Sequence, residues 1–171
     1  LWYLQRRRLI PDAFVARIEK LIAAQRLDDA LLLCQENDTP MAHVMAAALR
    51  NASRARERVK EAVEEVGKFQ GTLLERYVEV VGTVAAVEPL LGLLGTVLGM
   101  ITVFQQVETF GLGDPSSFAA GIWEALITTA AGLSVAIPTY LGYKLLLSRV
   151  EQLLVEMEER SLRVIDMVAR D

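Results

Sequence analysis

The sequence predicts an all-α, polytopic membrane protein whose long transmembrane helices extend into the cytoplasm, beside a helical cytoplasmic region. Three observations predict this class. First, 53% of the 171 residues are hydrophobic and the mean hydropathy is +0.31, above the roughly 45–50% apolar share of soluble domains. Second, that excess is concentrated: no lysine or arginine lies between Arg76 and Lys144, so all 18 basic residues fall outside the window, as membrane spans require. Third, outside the window apolar residues recur at helical spacing.

Composition also excludes. A pI near 5.2 and the lack of any basic patch interleaved with aromatics argue against nucleic-acid binding. The single cysteine, Cys34, permits no intrachain disulfide and reads as a small buried hydrophobe. His43 is the sole histidine and has no cysteine or carboxylate at ligand spacing. No Gly-rich phosphate loop and no Ser/His/Asp set is present, so neither enzyme, cofactor nor metal is expected.

In chain order, residues 1–10 read as the end of a truncated first transmembrane helix. Leu1-Trp2-Tyr3-Leu4 supplies interfacial aromatics, and Arg6, Arg7 and Arg8 mark the cytoplasmic side. Residues 11–76 form a cytoplasmic helical region. Pro11 and Asp12 suit a first turn, and Phe14, Ile18, Leu21 and Ile22 follow on one face. A break near Gln25-Arg26 leads to a second helix carrying Ala30 and Cys34, which Glu36 to Pro40 ends. From Pro40 no stop signal is expected until about residue 108, although Gly67 and Gly71 each weaken a helix by about 1 kcal/mol relative to alanine. Glu57, Glu61, Glu64 and Glu65 interleave with Arg54, Arg56, Arg58 and Lys60, which supports an exposed helix.

Residues 77–107 form a transmembrane helix, 108–117 a periplasmic turn rich in Gly, Pro and Ser, and 118–143 a second transmembrane helix. Residues 144–171 form a cytoplasmic C-terminal helix. There Leu146, Val150, Leu153, Met157, Val164 and Val168 make a 4-3 seam, with Arg160 or Ser161 where one apolar residue is missing. The turn carries no base and both flanks do, so the turn faces away from the cytoplasm.

Polar groups inside the spans are few. With the turn centred near position 112, Thr96 and Thr129 fall at about the same depth, roughly 24 Å from that centre at 1.5 Å per residue. Glu124 lies nearer the outer face, and Glu88 nearer the inner face at about the level of Pro138. Carboxylates in lipid normally face a protein interior or water, so Glu88 and Glu124 are site candidates. Gly92, Gly95 and Gly99 on one span, and Gly121, Ala125, Gly132 and Ala136 on the other, form small faces for close helix packing. Two such faces exceed what one hairpin uses, which predicts a ring-like homo-oligomer. Pro138 is a candidate kink.

The stretches Glu88-Pro89-Leu90-Leu91-Gly92-Leu93-Leu94-Gly95-Thr96-Val97-Leu98-Gly99 and Gly121-Ile122-Trp123-Glu124-Ala125-Leu126-Ile127-Thr128-Thr129-Ala130-Ala131-Gly132 resemble the second- and third-span motifs of the MotA/TolQ/ExbB proton-channel family, within it most like the ExbB branch. The resemblance implies an inner-membrane subunit of a homopentamer. It also implies an ExbD- or TolR-like single-span partner supplying a membrane aspartate, and a TonB-like protein that receives the energy of proton flow. It places the functional threonines at Thr96 and Thr129 and the third-span glutamate at Glu124. Glu88, Leu98 and Thr128 depart from its usual alanine, tryptophan and alanine; Glu88 and Thr128 are candidates for the path or its rim. The residues agree on a further point: a proton path needs a titratable group near the middle, and the spans offer hydroxyls at mid-depth and no carboxylate, so such a path requires one from another chain. The competing readings are a TolQ-like envelope-maintenance subunit and a passive membrane scaffold that uses the glycine faces only for assembly.

Overall fold

A computed structural model describes residues 4–111 and 115–168. The expectations for Leu1, Trp2 and Tyr3 and for the centre of the turn at 112–114 lie outside the described residues. The chain is helical: α1 (Arg6–Leu9), α2 (Asp12–Ala23), α3 (Leu27–Gln35), α4 (Pro40–Arg50), α5 (Arg56–Phe110) and α6 (Pro115–Val168). It divides into two compact units, one from residues 1–76 with 146–171 and one from residues 77–145.

The first unit has a core of large apolar side chains. The amphipathic α2 buries Phe14, Val15, Ile18 and Ile22. It stops where Gln25 takes a positive φ of 59°, and the Arg26 amide closes back on the Leu21 carbonyl at 2.9 Å. α3 buries Ala30 and Cys34, and burial pushes the Cys34 thiol up to about 11, so this thiol is inert. Thr39 caps α4 by accepting from the Ala42 amide at 3.2 Å, with Pro40 at the first helical position. α4 is apolar nearly all round and buries Met41, Ala42, Val44, Met45, Ala46, Ala47, Ala48 and Leu49, the pattern of a central helix.

The expected unbroken helix from Pro40 to about 108 does not form. It breaks over residues 51–55, because Asn51 competes for the backbone: its side-chain amide donates to the Ala47 carbonyl at 2.9 Å while its own amide turns to Ala48. α5 then begins at Arg56 and runs without interruption through Gly67, Gly71 and Pro89. Arg58–Glu61 (3.0 Å) and Lys60–Glu64 (3.7 Å) line its exposed face.

In α6 the C-terminal seam buries Val150, Leu153, Met157, Val164, Ile165 and Val168. Ser161 takes the place of the missing apolar residue. It is 3% exposed, and its hydroxyl donates to the Met157 carbonyl at 2.6 Å, so no polar group is stranded. A ring of alternating charge joins the start of the unit to this helix. Arg6 bonds both Asp12 (2.7 Å) and Glu156 (2.6 Å), and Arg160 bonds the same two carboxylates at 2.7 and 3.1 Å. Arg6 holds both carboxyls below their ordinary values, and they in turn raise Arg6.

The second unit is a helix pair. α5 continues to Phe110 and α6 starts at Pro115, so both edges of the expected 108–117 turn are helical. Gly111, at φ 77°, caps α5 by donating its amide to the Val107 carbonyl at 2.8 Å. α6 passes through Pro138 unbroken. Both helices are long and apolar enough to cross a membrane, and only 11% and 17% of their most apolar windows are buried. Leu90, Leu93, Leu98 and Trp123 are all more than half exposed. A water-facing domain would not leave them so.

Candidate functional site

The contact between the two spans is set by residues too small to hold the helices apart. A β-carbon added at Gly92 would stand 3.1 Å from the Thr128 carbonyl oxygen and 3.1 Å from the Thr129 Cα. One added at Gly132 would stand 3.0 Å from the Glu88 carbonyl oxygen and 3.0 Å from the Gly92 Cα. Backbone therefore meets backbone at this level. Toward the Gly111 end of the pair, a β-carbon added at Gly99 would stand 2.7 Å from the Ala125 Cβ and one at Gly121 would meet Val103; toward the opposite end, one at Gly82 would meet the Tyr143 ring. Each facing pair is centred on position 112 to within two residues, so the register matches the depth count. Ala125, Gly132 and Ala136 are buried along the same seam. The two small faces consume each other, so they do not by themselves call for a further helix.

This close approach brings the hydroxyls together. Thr96 and Thr129, on different helices, are hydrogen-bonded to each other. Both also reach the Gly92 carbonyl oxygen, Thr96 at 3.1 Å and Thr129 at 2.9 Å. Thr128 approaches the same carbonyl at 3.3 Å but bonds the Ala125 carbonyl more closely, at 2.6 Å. Each hydroxyl has one proton to donate. Two protons are thus shared among three oxygens in the Thr96–Thr129–Gly92 group. Either Thr96 donates to Thr129, which donates to the carbonyl, or the order reverses. A group with two equivalent proton orderings can relay a proton, but it cannot hold one, because no member titrates near neutral pH.

The glutamates stand apart from this group. Glu124 is exposed, on the wall of an open groove of about 520 Å³ shared with Thr102, Gln106 and Thr128 and floored by Gly99 and Gly121. Glu88 is half-buried on the other side of the threonine level. Among the described residues neither glutamate hydrogen-bonds to the threonines. Sequence reading did not single out Thr102 and Gln106, although two polar residues four apart in an apolar span are a usable signal. It also missed Gly92 as an acceptor, since a backbone carbonyl leaves no mark in a sequence. Near the other end of the pair, the Tyr143 hydroxyl donates to Glu79 at 3.2 Å and Lys144 lies 5.7 Å from the Tyr140 ring centre. Among the described residues no group of His, Cys, Asp and Glu is placed to hold a metal.

The profile of the MotA/TolQ/ExbB proton channel family matches residues 36–159. The chain belongs to this family. It is similar to an ExbB-like protein of Synechocystis sp., 31% identical over 152 residues that cover 87% of this chain and 58% of that one. It is also similar to the biopolymer transport protein exbB1 of Vibrio cholerae, 42% identical over 76 residues (44% of this chain, 33% of that one). The Tol-Pal system protein TolQ of Haemophilus influenzae is 43% identical over 77 residues (45% and 34%). ExbB-type names predominate among these relatives and TolQ names occur with them. The chain spans about half the length of the curated relatives it matches. The family is one of proton channels, not of enzymes, and the two long apolar helices fit membrane spans.

Proposed function

We propose that this chain is an ExbB-like proton-channel subunit of an inner-membrane energy-transducing complex. In this reading it forms a homopentamer around an ExbD- or TolR-like single-span partner, and proton flow is passed to a TonB-like protein for transport across the outer membrane. Thr96 and Thr129 line the proton path beside the partner's aspartate, and Glu124 stands near its outer mouth. Thr128 and Glu88 flank the path, and Pro138 provides a kink near the inner end. The connection between the spans is periplasmic, and the unit built on α1–α4 is cytoplasmic.

One observation carries the proposal: two threonines 33 residues apart, on different helices, share a hydrogen bond and one carbonyl acceptor. Hydroxyls in that arrangement relay protons and do not store them, so a titratable group from a second chain completes the site. Each proton crossing 100 mV yields about 2.3 kcal/mol, so several are needed for a mechanical step of useful size.

A TolQ-like role in envelope maintenance is the second reading, favoured by the TolQ relative at 43% identity. Phenotype separates the two: loss of metallophore or vitamin uptake for the first, detergent sensitivity and cell chaining for the second. Native mass measurement of the purified complex tests the assembly. A homopentamer with one or two copies of a small single-span protein supports it, and a chain that purifies alone as a monomer contradicts it.

A further inference from the structure

Gly67 is unexplained by anything within the chain. It lies in the interior of α5, where glycine weakens the helix, yet a β-carbon added there would meet nothing within 4 Å. Gly71, one turn on, is accounted for, since its β-carbon would stand 3.2 Å from Leu154. The two glycines open a notch in α5 that lies within a groove of about 600 Å³, floored by Val63, Leu154 and Met157 and rimmed by Glu64, Lys68, Glu75 and Glu158.

About 200° around the same helix and about 3 Å along it, Phe69 and Leu73 project outward, 62% and 36% exposed. The helix therefore carries an apolar knob on one side and an apolar notch on the other, at nearly equal level. In a cyclic ring whose axis follows the helices, neighbouring copies touch at equal heights through two different faces. A knob and a notch at one level on opposite faces meet that requirement; on one face they would not.

Glu65 and Arg76 flank the knob, and the rim opposite presents Lys68, of opposite sign, near the level of Glu65 and Glu75, of opposite sign, beside the level of Arg76, with the like-charged Glu64 also at the level of Glu65.

We infer that the notch at Gly67 and Gly71 is the seat for Phe69 and Leu73 of a neighbouring copy of this chain, and that this contact closes the ring. The inference rests on the ring assembly proposed above and is independent of the proton path.

The test uses the full-length protein with Cys34 replaced by alanine. A chain carrying both Gly67→Cys and Phe69→Cys holds its thiols on opposite faces of one helix, where they cannot bridge within a copy. Mild oxidation is expected to give a ladder of covalent multimers at least tenfold stronger than from Gly67→Cys paired with Leu32→Cys, an exposed position elsewhere. A ladder no stronger than that control, in protein that native mass shows to be oligomeric, overturns the face assigned here and leaves the groove to lipid or another protein. A monomer by native mass overturns the ring itself. Gly67→Leu gives a second reading. Nothing in the chain opposes the added side chain, so helicity is retained, while recovered oligomer is expected to fall about tenfold. Unchanged oligomer recovery contradicts the inference.

Discussion

The two units of this protein solve packing in opposite ways. The unit of residues 1–76 with 146–171 buries large side chains inward: Ile18, Ile22, Met41, Met45, Leu153 and Ile165 are all at or below 1% exposure. Arginines and carboxylates close its surface. The unit of residues 77–145 turns its leucines outward and buries glycine and alanine at the helix contact. The hydrophobic effect holds the first together. It has no purchase between helices already in lipid, where close backbone contact and hydroxyl bonds take over. The same residue type therefore means opposite things in the two units: leucine is core in one and lipid-facing surface in the other.

Mutations sharpen that contrast. The largest effect is expected from Ile18→Ala, which leaves a cavity in the first unit and costs about 2–5 kcal/mol of its stability. Thermal unfolding in detergent, followed by a probe in each unit, is expected to lower the first transition and leave the 77–145 pair in place. In the pair, enlarging a residue does the damage. Gly99→Ala drives a methyl against Ala125 and costs about 1–3 kcal/mol, whereas Ala125→Gly in the same chain restores most of it. A double-mutant cycle that shows the two changes to be additive would contradict the contact.

The smallest effect belongs to the charge ring. Arg6 depresses the pKa of both Asp12 and Glu156. Their stabilising contribution is therefore present at neutral pH, above the ordinary carboxylate range, and is lost as pH falls through the depressed values. The ring is partly exposed, so solvent screens it and the loss is modest. Arg6→Gln is expected to flatten the acid limb of the stability profile; an unchanged limb would show that the ring contributes nothing.

Much of this was legible in the sequence, and the misses have physical causes. The helical class, the break near Gln25 and the stop over Glu36 to Pro40 follow from periodicity and local turn chemistry. The common level of Thr96 and Thr129 followed from counting, because two helices joined by a short connection keep a fixed register. The break at Asn51 was not legible, since one asparagine in an alanine-rich run is a weak signal until its side chain is seen to take the Ala47 carbonyl. Burial of nearly the whole of α4 depends on what surrounds it, which periodicity does not report. The glycine faces are visible in the sequence as small surfaces, and only coordinates show that they meet each other. The shared Gly92 carbonyl lay beyond any side-chain reading.

Proton flux into vesicles containing the full-length protein and its single-span partner tests the central claim most directly. With assembly verified by native mass, Thr96→Val and Thr129→Val are each expected to abolish flux, while Thr96→Ser and Thr129→Ser, which keep a hydroxyl, retain it. Full flux in both valine variants would contradict the account.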